Sequence, residues 1–409
     1  MTFLRIENLL HSKRFTHVLF ITVVCLHLLV YWLIGVVMPV INKINLLWSF
    51  AEDLNWYFKY AFTFLTQPTL VYATYGHIPA NLIYLPAFLL YCVAWYVPNQ
   101  FLGLTVYQAL ISYDFSMVLW NLGNCFLIYK IVNTGKVKAM LGGSVLSNPY
   151  ILMSIYMGTS IFYIDYFVGQ VNAILGFFLL LGILFYLNDK EQYAFFFWGI
   201  GMCFKVIMAI FIAVLILHGP LKRFVKNVAF LAISQIPNII LFLVYPSLLH
   251  DFIDNIFFRF GESALFTQPV SMIQFLSVFY NLDVGISYIL IYCTLLPMTA
   301  YILIEYRKSL NFFDRLMIIA LLSFNLLQGE SAHVIITLGV YLLWIAIKAP
   351  GFHKSIHYVK LLLGFPFLSG ITWVIFPYFP LIFFSAQIWF SILIVSSKKM
   401  AIDQPDLRS

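Results

Sequence analysis

Residues 16–38 read THVLFITVVCLHLLVYWLIGVVM, a run without a single Asp, Glu, Lys or Arg. A membrane-crossing helix needs roughly 18 or more consecutive, mostly apolar residues, and Thr16–Met38 exceeds that length. Tyr107–Tyr129, Phe167–Leu187 and Val284–Leu303 meet it as well. The composition agrees: 63% of the 409 residues are in the apolar set and only 10% are charged, against about 25% charged in an average soluble domain. A water-soluble globule is therefore excluded. The chain reads as an all-α, polytopic integral membrane protein, one domain over residues 1–409 with no repeat. Its first apolar run lacks a small-residue cleavage site and reads as a retained helix rather than a removed signal peptide.

The net charge of +7 comes from Lys and Arg in short inter-helix loops. It reads as membrane orientation, with no nucleic-acid partner. Cys25, Cys92, Cys125, Cys203 and Cys293 lie in apolar runs without paired spacing, which argues against a disulfide framework or a zinc site. They read as packing residues.

Lys13 and Arg14 precede the first span, so the positive-inside rule puts the N-terminus in the cytoplasm and the next loop, with Asp53, outside. Basic residues recur at Lys130/Lys136/Lys138, Lys190, Lys222/Arg223/Lys226, Arg307/Lys308/Arg315, Lys348/Lys354/Lys360 and Lys398/Lys399. All can be cytoplasmic only if three apolar stretches do not cross singly: Asn81–Val97, Tyr193–Leu217 and Leu316–Ile347. Each is then interfacial, re-entrant or a tight pair of short helices. The outer segments are 39–80, carrying an aromatic interfacial helix over Trp48–Leu65, and 247–283. In this arrangement Asp53, Asp165, Gln170, Lys205, Glu262, Glu330 and His333 all fall toward the outer face, where costly polar groups are functional candidates.

Asp53 could cap the aromatic helix or take a proton from an acceptor hydroxyl; the two roles are compatible. Gln170 and Asn172 could bond across helices or line a sugar site, because an amide both donates and accepts. Lys205 lies about a dozen residues from either end of its run, too deep to snorkel easily. A bound phosphate would explain it. Glu330 and His333 share a face if helical. Two ligands at that spacing are a weak metal signal, and no metal or cofactor is assigned. Asn148-Pro149 within Met140–Met157 reads as a helix kink.

The order Asp53-Leu54-x-x-Tyr57, Tyr84-Leu85-Pro86-Ala87-Phe88 with Pro98, Asn121, Gly169-Gln170-Val171-Asn172 and Phe204-Lys205 resembles the polyprenyl-phosphate-mannose-dependent mannosyltransferases of the GT-C superfamily. Ser147-Asn148-Pro149 and the Lys205 region are similar to the GPI mannosyltransferase I family. Glu330-Ser331-Ala332-His333 resembles the Ser-x-x-His element of the prokaryotic alpha-mannosyltransferases. The resemblance covers roughly residues 50–345. The chain departs from the pattern at Leu85-Pro86, where Pro-Pro is common, and at Lys205-Val206, where Lys-Pro is common. It also lacks the second Asp-x-Asp of the GPI branch.

The resemblance implies a GT-C-like bundle of about 10–12 membrane helices, each of roughly 20 residues, with its active site on the non-cytoplasmic face. Such a protein resides in the cell membrane if prokaryotic and in the endoplasmic reticulum if eukaryotic. It implies a polyprenyl- or dolichyl-phosphate sugar donor and a glycolipid or lipid-linked glycan acceptor, with membrane lipids around both. Asp53 is then the catalytic base. Lys205 and His333 hold the donor phosphate, and Gln170, Asn172, Tyr57, Asp165 and Glu330 contact sugar or acceptor. No Gly-rich nucleotide fingerprint is present. The reading from another class is a polytopic secondary transporter or lipid-linked-sugar flippase.

Overall fold

A computed structural model describes residues 9–42, 51–72, 84–141, 145–160, 162–205, 208–209, 212, 221–261, 272–273, 276, 280–306, 309–326, 334–348, 360 and 379–402. Every regular element among them is helical. In chain order these are α1 (Lys13–Asn42), α2 (Glu52–Thr66), α3 (Ala87–Phe101), α4 (Val106–Val132), α5 (Gly135–Leu141), α6 (Pro149–Met157), α7 (Phe162–Val168) and α8 (Asn172–Leu187). Then follow α9 (Glu191–Phe204), α10 (Leu221–Ser234), α11 (Ile236–Val244), α12 (Pro246–Gly261), α13 (Val284–Glu305), α14 (Phe312–Leu326), α15 (Ile335–Lys348) and α16 (Phe379–Ile402). Glu262, Glu330 and His333 lie outside the described residues.

Three helices are long and apolar enough to cross a membrane, within α1, α4 and α13; α10 and α11, bent by 54°, would make a fourth. Shorter apolar helices α8, α15 and part of α16 accompany them. Short or broken apolar helices thus stand beside the long ones among the described residues. Val18, Ile21, Phe115, Leu119, Phe126, Ile289 and Ile304 are exposed on the outside of these helices. Polar side chains such as Asp114, Asn121 and Asn124 are instead fully buried, the arrangement expected where lipid replaces water outside the bundle.

Local signals set the helix ends. Thr105 and Gln108 form a capping box at the start of α4, and the Asp283 side chain accepts from Ile286 N at the start of α13. The expected kink at Asn148-Pro149 is instead a helix start: the Asn148 side chain accepts from Tyr150 N, and Pro149 occupies the first turn, where its missing N–H costs nothing. Helix α1 continues through Pro39 to Asn42. One other expectation is corrected. Cys25 and Cys293 are exposed rather than packed, whereas Cys92, Cys125 and Cys203 are buried.

Charged groups mark one end of the bundle. Lys136 pairs with Asp189 at 2.6 Å, and Arg223 with Glu191 at 3.5 Å. Lys348 Nζ donates to Asp314 at 2.8 Å, and Tyr186 stacks on Phe312 at 4.4 Å. His17 packs on Tyr150 at 3.8 Å, beside Tyr129, which brings the start of α1 to the end of α4. The 16-residue α8 carries the chain from the opposite end, at Asn172, to this basic one, about 24 Å away at 1.5 Å per residue. Its passage against α9 is close, since a Cβ on Gly182 would lie 2.1 Å from Trp198 Nε1.

Described residues within or beside each of the three stretches that charge placement singled out lie together at one end of the bundle. Helix α9 leaves the basic end at Glu191 and reaches the far end at Lys205, and Arg223 is again beside Glu191. Helices α14 and α15 form a pair in which the start of α14 meets the end of α15 at the basic end through Asp314, Lys348 and Trp344, the last at 3.0 Å. Helix α3 stays at the far end: Ala87 bonds to Asn238, and Leu102–Thr105 lead straight into α4. If residues 191–223 do not cross singly, cysteines placed at 190 and at 222 in a cysteine-free background should react with an impermeant thiol reagent from the same side. Reaction from opposite sides would mean a single crossing.

Candidate functional site

At the end opposite the basic residues, α7 closes on a turn at Gly169 with φ of +79°, a backbone conformation that side chains disfavour. A Cβ there would also lie 2.9 Å from Leu54 Cβ. The bare glycine therefore lets α2 approach the turn, and Ala51 N donates to Phe167 O at 2.8 Å. Ala51 precedes α2 with φ of 58°, a left-handed strain of roughly 1–2 kcal/mol held by that hydrogen bond. Asp53 follows in the first turn of α2. It is not the cap, a place Ala51 takes, but its carboxylate sits where the helix dipole favours an anion.

Lys205 ends α9 and is 7% exposed. Its ammonium donates to Gln170 Oε1 at 2.9 Å and to Asn172 Oδ1 at 3.0 Å. Each amide passes the contact on to a carboxylate: Gln170 Nε2 donates to Asp53 Oδ2, and Asn172 Nδ2 to Asp165 Oδ1 at 2.8 Å. The amide orientations follow from charge. Reversal of either would set an NH2 against the ammonium and a carbonyl against a carboxylate. One cation thus reaches two carboxylates through two amides. Asp165 and Asn172 are buried, and Asp53 is half-buried at the rim.

An aromatic wall lines the same region. Tyr57, one turn after Asp53, shares a 3.3 Å contact with Tyr84 through their hydroxyls and meets Phe88 edge-on at 5.0 Å. Tyr84 stacks on Phe88 at 4.0 Å, and its ring lies 6.0 Å from Lys205 Nζ. Of the residues selected from sequence, the structure brings together Asp53, Tyr57, Asp165, Gln170, Asn172 and Lys205.

Behind this group lies a second polar chain, of which only Asn121 was singled out in the sequence. His27 Nε2 meets Tyr166 Oη at 2.7 Å, and Asn121 Nδ2 donates to the same hydroxyl at 2.9 Å. Tyr156 Oη donates to Asn121 Oδ1 at 3.2 Å and accepts from Asn124 Nδ2 at 2.8 Å. Asp114 is fully buried in α4, and neither of its carboxyl oxygens has a hydrogen-bond partner among the described residues. A sequence signal exists for the rest: Asn121 and Asn124 follow Asp114 by seven and ten residues, on one side of a helix, inside an otherwise apolar run. A buried carboxyl without partners opposes folding. Asp114→Val, which removes the buried polar atoms at similar volume, is therefore expected to raise the melting temperature by several degrees, at about 2–4 °C per kcal/mol, measured in detergent by differential scanning fluorimetry.

The chain matches no family model, no curated protein and no solved structure.

Proposed function

We propose that this protein is a membrane glycosyltransferase that moves a hexose, mannose foremost, from a polyprenyl or dolichyl phosphate to a glycolipid or lipid-linked glycan, with inversion at the anomeric carbon. The observation that carries the reading is the buried Lys205 ammonium held by two amides, each leading to a carboxylate, at the end away from the basic residues. A phosphate needs a cation where water is scarce, and a sugar needs amides that donate and accept. In this reading Lys205, with His333, binds the donor phosphate. Gln170 and Asn172 meet sugar hydroxyls, Asp165 fixes Asn172, and Tyr57 and Glu330 face sugar or acceptor.

Asp53 takes the proton of the acceptor hydroxyl while its oxygen bonds to the anomeric carbon. The bond from that carbon to the phosphate oxygen breaks, and its electron pair leaves with polyprenyl phosphate. By the positive-inside rule the basic end is cytoplasmic, so the site of this multi-pass protein faces the other side, with the donor tail remaining in the bilayer. Purified protein incubated with polyprenyl-phosphate-linked radiolabelled mannose and membrane lipid should yield a labelled glycolipid. A transporter or flippase would move the labelled donor across proteoliposomes without forming a new glycosidic bond, and that result would overturn the proposal.

A further inference from the structure

Helix α3 begins behind Pro86, which offers no side chain to accept the first free backbone N–H groups. The acceptor comes from another helix. Asn238 Oδ1, in the first turn of α11, accepts from Ala87 N at 2.7 Å. The amide nitrogen of the same side chain donates to Gln235 Oε1 at 2.8 Å and reaches Cys203 Sγ at 3.2 Å. Gln235 Nε2 in turn donates to Gly199 O at 2.7 Å. The amide cannot be reversed, since its NH2 would then face the Ala87 N–H. Asn238 is 3% exposed, so these bonds form where an unmet polar group is costly.

The position of these partners gives the contact its meaning. Ala87 lies three residues after Tyr84, and Cys203 two residues before Lys205. Tyr84 and Lys205 form facing parts of the candidate site, with Phe88 of α3 and Phe204 of α9 in edge contact at 5.8 Å. A single buried amide, presented where α10 and α11 bend by 54°, therefore ties the first turn of α3 to the last turn of α9. We propose that Asn238 is a positioning residue: it caps α3 from outside that helix and holds Tyr84 and Lys205 at their working separation. Only the catalytic consequence rests on the glycosyltransferase reading.

The test compares Asn238→Ala with Asn238→Asp in the full chain. Aspartate keeps an oxygen for Ala87 N and loses the donor to Cys203 and Gln235; alanine loses both. Hydrogen exchange at the Ala87 amide should accelerate about tenfold in Asn238→Ala and stay near wild type in Asn238→Asp. Dipolar broadening between nitroxides at positions 85 and 202, with Cys25 and Cys293 replaced by Ser, should decrease in the alanine variant as α3 and α9 separate. With polyprenyl-phosphate mannose as donor, kcat/KM should fall about tenfold in Asn238→Ala, the upper range for one neutral hydrogen bond, and recover in part in Asn238→Asp. Wild-type exchange at Ala87 in the alanine variant overturns the cap. Faster exchange with unchanged broadening overturns the positioning role. Absence of transfer by the unmutated protein counts against the glycosyltransferase reading alone, because exchange and broadening need no substrate.

Discussion

Turnover of an Asp53→Asn variant is expected to fall about 10²–10⁴-fold, the usual cost of losing a positioned general base. The substitution keeps the shape of the side chain. Its amide oxygen can still accept from Gln170 Nε2, so the contacts running on to Lys205 survive. What the fold loses is an anion in the first turn of α2, typically about 0.3–1 kcal/mol. Melting temperature and donor KM should therefore stay near wild type while kcat collapses, as read from initial rates of labelled glycolipid formation at saturating donor. Full turnover in this variant would leave Asp53 as a helix-end anion and nothing more.

The Lys205→Gln variant should lose about 10–10²-fold in kcat, from a charge-assisted hydrogen bond worth roughly 1.5–3 kcal/mol. The effect on donor KM should be smaller, because negative charge grows on the phosphate oxygen only as the sugar departs, and stabilisation specific to the transition state acts on kcat. Glutamine still offers N–H donors to Gln170 Oε1 and Asn172 Oδ1, which limits the structural damage. If His333 contacts the same phosphate, a Lys205→Gln/His333→Ala double variant should be little slower than Lys205→Gln alone. Losses that multiply would place the two residues on separate parts of the reaction.

The basis for both predictions was only partly legible in one dimension. Lys205 stood out because a lysine so far from either end of an apolar run is expensive there, and Gln170 and Asn172 stood out as a polar insertion between apolar runs. Their pairing did not. Nothing in the spacing of Asp53, Asp165, Gln170 and Asn172 says that Gln170 serves Asp53 and Asn172 serves Asp165; that assignment needs the Gly169 turn and the approach of Leu54. Asn148 was misread for a related reason. A proline after a polar residue suits a kink and a helix start equally, and only the Asn148 bond to Tyr150 N distinguishes them.

The sequence by itself determined that the protein is helical with several segments apolar and long enough to cross a membrane, and its Lys and Arg placement set the expectation that residues 81–97, 193–217 and 316–347 do not cross singly. Those properties depend on sums over single residues: the transfer cost of each side chain and the placement of each Lys and Arg. Tertiary structure alone decided which face of each helix turns inward: α13 is apolar both where it is buried and where it is exposed, at Ile289 and Ile304, as expected where the surroundings are as apolar as the core. It alone buried Asp114, carried Asn238 to the start of α3 and set two carboxylates one amide away from a single ammonium. Each of these contacts joins helices distant in sequence, and a hydrogen bond exists only at the distance and angle that their packing supplies.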